Sequence, residues 1–591
     1  MKRYSLHCHA ILVSFVLISA LVSTGCDILT ADEDSGVNLT ETSSAVVTKV
    51  PFDGSTTTMT LTGLTNSSIY LVKLNTSGNT VSSGSSGSAS NLVASSRDAA
   101  SSDANSSLNL TDASGDPLSG VFKTSSGTIR RYDHKASLEF SAHPPAKASC
   151  VTPLRNLSTR SASSVAVEES GIVDKTTKDF WVDTSTATAY SYDGTYWKKI
   201  TTTLKGKSTY ASVWVATDYD AGLTSGDYVI NTALAQTIAD TFTYFYPIET
   251  NIFGYEYGGG SNGSGGRDGK KPIDIVLYDI GGDSNQVLSK GGVVGYFWGK
   301  DWYPTTSSDN NYYTYSNYGE IFYIDTVFAS AKSGVMYSTL LHEFQHMIDW
   351  NVKYVTNGKA PKTWYNEMLS QVAEDMMSSY LTSKLGSSIY DDASDGVIAG
   401  RIPYFNAGYY LSGLTDWLTG DDVYYSYAGS YAFGAYLARN YGGASLIQSI
   451  ASNDTVDTSS ISAALSSLNC SESTFSAAFA RFPEALICSS SSNEAATLAT
   501  VNTFDRESQK IVGVYTYTFP AFDVADYSYT SGSSTYYGPG VFTLASDPSI
   551  RPYGCFIQSS TSWLKVKDSL TITLKKPTNP NISMYLVVRG K

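Results

Sequence analysis

The string His342-Glu343-Phe344-Gln345-His346 has the residue types and the spacing to hold a divalent metal and to hydrolyse a bond with it. In a helix, residues i and i+4 share a face, so both imidazoles reach one ion. Histidine nitrogen is a standard Zn2+ ligand, and a glutamate beside such a site can take a proton from a water that the metal acidifies. His342 and His346 are therefore candidate ligands, and Glu343 is the candidate general base. Leu340, Leu341, Phe344, Met347 and Ile348 supply the apolar side of that helix. Ser333 or Ser338 is expected to cap its start.

A catalytic zinc site takes three protein ligands and keeps a fourth position open. The histidines are His7, His9, His134, His143, His342 and His346. None follows His346, so a downstream histidine ligand is excluded. The extended three-histidine pattern fails too, because Asp349 and Val352 stand where it needs Gly and His. The third ligand is expected to be a carboxylate. Asp349 is one candidate, but at i+3 on an unbroken helix it aims poorly at the metal. Glu367, in Trp364-Tyr365-Asn366-Glu367-Met368-Leu369-Ser370, is the better one, on the next expected helix.

Asn366-Glu367 with Ser370 resembles the second motif of the gluzincins, the thermolysin-like metallopeptidases, whose Glu binds zinc. The resemblance implies that Glu367 is the third ligand. That pattern often continues with an Asp that orients a ligand histidine, and Gln371 stands there instead. Glu374, at i+7 from Glu367, is a candidate for the orienting role or else a solvated surface carboxylate. Asn366 reads as structural or as a contact to substrate backbone. Leu340 to Ile348, Trp364 to Glu367, Ser370 and Ala373-Glu374 together resemble the hyicolysin family of bacterial metallopeptidases. The resemblance covers about residues 175–500, most strongly 320–445, and implies extracellular zinc-dependent proteolysis.

Hydrolysis through a tetrahedral intermediate needs a donor to the developing oxyanion. With no histidine downstream, a tyrosine is required if the role exists. Tyr427-Ala428-Gly429-Ser430-Tyr431 resembles the start of the helix that carries the catalytic tyrosine of gluzincin aminopeptidases. The resemblance implies Tyr427, with Tyr425 and Tyr431 as rivals. Glu320 to Asp325 precedes the motif helix, and in zincins the strand before it forms a sheet edge that pairs with substrate backbone. That strand is expected either to bind peptide in this way or to lie inside the sheet.

Several elements must position these groups. Ser212 to Ala216, Pro272 to Asp279 and Glu320 to Asp325 read as strands. Leu234, Ile238, Phe242 and Phe245 fall at helical spacing, and Pro247 is expected to end that helix. Helical patterns dominate from about 332 to 487. Gly258 to Gly269 is a glycine-rich loop without a calcium-ligand ladder. Toward the ends, Thr57 to Thr62, Ser68 to Leu74 and Ser569 to Leu574 alternate as strands do.

The amino terminus has Lys2 and Arg3, an apolar stretch from Ala10 to Val22, then Ser23-Thr24-Gly25-Cys26. This layout is that of a secretory signal peptide. It resembles a bacterial lipoprotein signal with Cys26 lipidated, although Ser23 departs from that pattern; an ordinary signal peptide is the alternative. Export permits disulfides, and Cys470 and Cys488 are close enough in sequence to pair. Beyond residue 25 no run of 18 apolar residues occurs, so no helical membrane span is expected there.

The 591 residues carry a formal charge of −14, with 16% charged and no Lys/Arg-rich run. A nucleic-acid-binding surface is not expected. Aromatics at 13%, including 43 Tyr, exclude uniform disorder. The expected fold is α+β: a zincin-type catalytic domain, with a β-rich N-terminal lobe and a helical C-terminal lobe, flanked by β modules. The expected division is 1–25 signal peptide, 26–145 Ser/Thr-rich β module and linker, 146–500 zinc metallopeptidase domain and 501–591 C-terminal β-sandwich-like domain. The expected activity is that of an exported, lipid-anchored, zinc-dependent endopeptidase acting on proteins or peptides. One alternative is an aminopeptidase of the same clan, although the acidic anchor strand for a free amine is not found. Another is a cell-surface adhesin or carbohydrate-binding lipoprotein with a non-functional zinc site.

Overall fold

The computed structural model describes residues 37–38, 46–50, 53–84, 86, 123–124, 127–128, 132–134, 176–183, 197–217, 230–260, 262–280, 292–304, 315–390, 396–418, 422–489, 501–531, 534–546 and 548–590. The chain combines sheets with a long helical stretch from Thr326 to Cys488, as in an α+β protein. The signal-peptide and Cys26 expectations fall outside the described residues.

Among the described residues the main sheet has seven strands: β1 (Tyr132–His134), β2 (Thr177–Asp183), β3 (Trp197–Lys207), β4 (Ala211–Ala216), β5 (Ile273–Tyr278), β6 (Gly292–Phe297) and β7 (Ile321–Asp325). Their order across the sheet is β1-β6-β7-β5-β4-β3-β2. β4, β5 and β7 run parallel, and β6 runs antiparallel to β7. β5 and β7 are buried along their whole length, as strands covered on both faces are, and are apolar except for Asp274 and Asp325. The strand before the motif helix is thus an interior strand, hydrogen-bonded to β5 on one side and β6 on the other. Of the two expectations for it, the interior one holds, and β6 and then β1 lie outside it on that side.

Helix α1 (Thr232–Phe253) begins at Asn231, whose side chain accepts from the Leu234 N–H. It lies so close to the sheet that a Cβ on Gly206 of β3 would sit 2.2 Å from the Ala235 carbonyl oxygen. The helix passes Pro247 and ends only at Gly254, whose φ of 97° suits a glycine. The expectation that Pro247 ends it fails because Ile248, Ile252 and Phe253 bury the following turn in the core. That burial offsets the lost hydrogen bond.

Helix α2 (Ser333–Asp349) carries the HExxH string, α3 (Thr363–Leu385) carries Glu367, and α4 (Val423–Asn440) carries Tyr427. The residue before α2 is Lys332, with no side-chain cap hydrogen bond, so neither Ser333 nor Ser338 caps it. A π-helical stretch, Trp350–Thr356, links α2 toward α3. Phe242, Phe322 and Phe344 join α1, β7 and α2 in one apolar core.

The two ends of the chain meet. Ser68–Asn75 pairs antiparallel with Cys555–Ser559 on one side and Ile582–Arg589 on the other, and Val46–Val50 adds to the latter. Thr56–Thr62 pairs with Ser569–Lys575. Cys470 is a free thiol, its Sγ bonded to the Tyr441 carbonyl, so it forms no bridge to Cys488. Among the described residues no helix is long and apolar enough to cross a membrane.

Candidate metal centre

His342, His346 and Glu367 converge in the core, each buried, with one ligand atom from each within 4.8 Å of the others. Nε2 of His342 is 3.2 Å from Glu367 Oε2, and Nε2 of His346 is 3.6 Å from Oε1. Ligand bonds of about 2.0–2.1 Å at tetrahedral angles would set donor atoms roughly 3.3 Å apart. The two observed separations bracket that edge. Nε2 of His346 and both oxygens of Glu367 are buried without a hydrogen-bond partner. Buried polar atoms are ordinarily satisfied, so this set fits a metal ion. Asp349, the rival ligand, is not among the converging groups.

The histidines are aimed by their other nitrogens. Nδ1 of His342 lies 2.7 Å from Glu374 Oε1, and Glu374 Oε2 accepts from the Ser338 hydroxyl at 2.5 Å. A carboxylate can only accept, so His342 donates through Nδ1, which leaves Nε2 on the side of the ring that faces Glu367. Nδ1 of His346 lies 3.1 Å from Asn366 Oδ1 and 3.0 Å from the Ser370 hydroxyl, which also bonds Gln345. Glu374 thus takes the orienting role rather than that of a solvated carboxylate. Asn366 holds a histidine, which is the structural one of the two roles expected for it.

Burial alone would pull the His342 pKa down, but Glu367 and Glu374 outweigh it and push it up to about 10. Glu367 is pulled the other way. Burial raises it, and His346 and His342 together take it well below the carboxylate range. The site without its ion is therefore a proton-sharing cluster, and a cation entering it displaces a proton. Glu249 of α1, another residue not anticipated, is fully buried near His342 with no hydrogen-bond partner. Burial raises its pKa well above the carboxylate range, and the charge of His342 opposes that shift.

Glu343 lies on the same helix, and its Oε2 accepts from the Phe297 backbone N–H of β6 at 2.8 Å. β6 rests directly on α2: a Cβ on Gly295 would be 2.8 Å from Thr339 Cγ2, one turn before His342 and Glu343. The glycine is what lets the strand lie that close.

Tyr427 is fully buried, its ring against Trp417 and under the Arg401 guanidinium. Its carbonyl accepts from Gln371, which also bonds the Glu367 carbonyl, so α4 and α3 are tied at the level of the cluster. The rival Tyr431 donates its hydroxyl to Asp375, which also pairs with Arg439.

The peptidase M30 family model matches residues 195–531, more than half of the chain. A curated relative, the neutral metalloprotease ShpI of Staphylococcus hyicus, is 31% identical over 183 residues, or 29% of this chain and 35% of that protein. The chain thus spans about a third of the length of that relative. The matched family region contains α2, α3 and α4, with the whole converging cluster. The chain belongs to the peptidase M30 family, the hyicolysin family that its motifs resemble.

Proposed function

We propose that this protein is an exported zinc endopeptidase, anchored to a bacterial membrane through a lipid on Cys26. His342, His346 and Glu367 would hold the ion. Zinc, when bound, supplies the Lewis acidity that makes water a nucleophile near neutral pH and polarises the scissile carbonyl. Glu343 takes the proton as the water oxygen adds to that carbonyl, then delivers it to the leaving amine. The Phe297 N–H restrains the Glu343 carboxylate for that transfer. Tyr427 donates to the developing oxyanion; the tie from Glu367 through Gln371 to its backbone supports this choice over Tyr431.

The catalytic unit is taken as residues 146–500, with a β-rich N-terminal lobe, a helical C-terminal lobe and β modules flanking it. Protein or peptide is the substrate. The relative is a neutral metalloprotease, which supports that substrate class.

One observation carries the reading: the buried convergence of His346 Nε2 and the Glu367 oxygens beside a restrained Glu343. The test is elemental analysis of purified protein together with casein hydrolysis. Near-stoichiometric zinc and hydrolysis abolished by chelation are expected. Folded protein that neither takes up zinc nor cleaves casein would return weight to the binding-protein alternative.

A further inference from the structure

The outer edge of β6 faces the catalytic glutamate, and this chain covers part of that edge itself. β1, Tyr132–His134, pairs parallel with β6 through Gly292↔Tyr132, Val293↔Asp133 and Gly295↔His134. The pairing stops two residues before Phe297, whose N–H holds Glu343. Among the described residues β1 is the last strand on that side of the sheet. An extended peptide laid along β6 toward Glu343 would need the same backbone N–H and C=O groups that β1 uses.

We propose that β1 is a built-in competitor, an autoinhibitory strand on the peptide-docking edge of β6 that an extended substrate displaces. The proposal rests on the reading of the His342, His346 and Glu367 cluster as a peptide-cleaving centre. Three features make the strand displaceable rather than permanent. It is only three residues long. Its ladder is parallel, the less stable kind per residue. Its register also shifts between Val293 and Gly295. A longer peptide can make more ladder bonds on the same edge.

The strand is also held by the chain on both sides. Upstream, Ser68–Asn75 is an inner strand of the sheet formed with the C-terminal strands. Downstream, the chain returns to the same main sheet as β2. Removing everything before β1 would take an inner strand out of a folded sheet. Inhibition is therefore relieved by displacement or by a cut close to β1, not by loss of the whole amino-terminal segment. Tethering keeps the competitor at high effective concentration, so it returns when substrate leaves.

The test uses the full chain with Glu343→Gln, with and without the pair Tyr132→Pro and Asp133→Pro. Of two consecutive strand residues, one points its N–H at the neighbouring strand, so the pair removes a ladder donor whichever one it is. The readouts are the Kd for fluorescein-labelled casein and amide exchange along Gly292–Phe297. An occupant that covers the edge nine-tenths of the time weakens apparent binding about tenfold. The proline pair is expected to tighten casein binding by about that factor and to speed exchange of β6 amides. Amides of β5 should stay protected, which shows that the core has folded.

Equal Kd and equal exchange in the two proteins overturn the proposal. So does aggregation of the proline variant without tighter casein binding, which would make β1 a plain edge cover. No casein binding by either protein overturns it as well. A parent chain that binds casein without cleaving it, even when loaded with zinc, defeats the reading of the metal centre instead. In that case the edge is still judged by its own two readouts.

Discussion

Nδ1 of His342 and Oε1 of Glu374 are 2.7 Å apart, and that contact fixes which nitrogen of the histidine faces Glu367. The carboxylate does not touch the ion position; it acts through the ring. Partners of this kind typically alter metal affinity by about 10- to 100-fold when removed. Glu374→Ala is therefore expected to weaken zinc binding by about that factor while the secondary structure stays intact. Competition with a chromophoric chelator measures it, with Ser338→Ala as a milder variant of the same chain. Unchanged affinity in Glu374→Ala would mean that the contact does not govern the ring.

Glu343 is assigned the proton transfer and not the binding of the ion, so the two properties should separate. Glu343→Gln keeps the size of the side chain and an acceptor for the Phe297 N–H. The expected outcome is full zinc content with casein turnover lowered by about 10²- to 10⁴-fold, the range of general acid–base contributions. Removal of zinc by chelation should abolish turnover in the parent and lower its melting temperature, since the ion binds only the folded cluster. A glutamine variant as active as the parent would remove Glu343 from the mechanism.

Local features of this protein were legible, and long-range partners were not. The HExxH helix is readable because i and i+4 fix its geometry within five residues. A carboxylate as third ligand is readable by elimination, because His346 is the last histidine in the chain, and the resemblance of Asn366-Glu367 with Ser370 to the gluzincin motif points to Glu367. The orienting partners were harder. Glu374 and Asn366 act across a helix–helix contact whose rotation no periodicity specifies, so the roles of both needed the structure. The strand before α2 proved interior because β6, whose alternation is broken by Gly292 and Gly295, folds back beside it. The terminal strands were each visible as alternation. Their pairing joins Ser68–Asn75 to Ile582–Arg589, and no local pattern records such a partner. Pro247 misled because a core contact outweighed a local rule.

Two of the tyrosines of α4 considered for the oxyanion, Tyr427 and Tyr431, separate by what holds them. Tyr431 donates to Asp375 at 3.0 Å in a buried pair with Arg439. Tyr431→Phe leaves that carboxylate short of a donor, and a loss of about 1–3 kcal/mol in folding stability is expected, with little effect on the turnover of folded protein. Tyr427→Phe should do the reverse, lowering kcat by about 10²- to 10³-fold with KM and zinc content close to those of the parent. Steady-state kinetics beside chemical denaturation of both variants decides it. A Tyr427→Phe enzyme with unaltered kcat would transfer the role to Tyr425 or leave it to the ion alone.

The glycine-rich loop supplies a pH test away from the His342, His346 and Glu367 cluster. Gly258 to Gly269 wraps Glu256 and Glu320, whose carboxylates crowd Gly259 and Gly266. Burial raises Glu256 to about 7, against an accepted hydrogen bond from Tyr246. Burial likewise raises Glu320 to about 8, with Asp268 and Glu256 adding to it and the Arg267 N–H opposing. Both values lie above the ordinary 4.5, so the folded state binds more protons than the unfolded chain between 4.5 and about 8. Stability contributed by the neutral acids is fully present below 4.5 and is lost as pH rises through about 7 and 8. Glu320→Gln keeps the neutral form at every pH. Its melting temperature is expected to match the parent near pH 5 and to exceed it near pH 9, with about half of the loop's pH dependence removed. Calorimetric scans across that range, on metal-loaded protein so that the His342, His346 and Glu367 cluster does not titrate, give the comparison. Parallel curves for parent and variant would mean that solvent reaches these carboxylates freely and that the loop stores no such linkage.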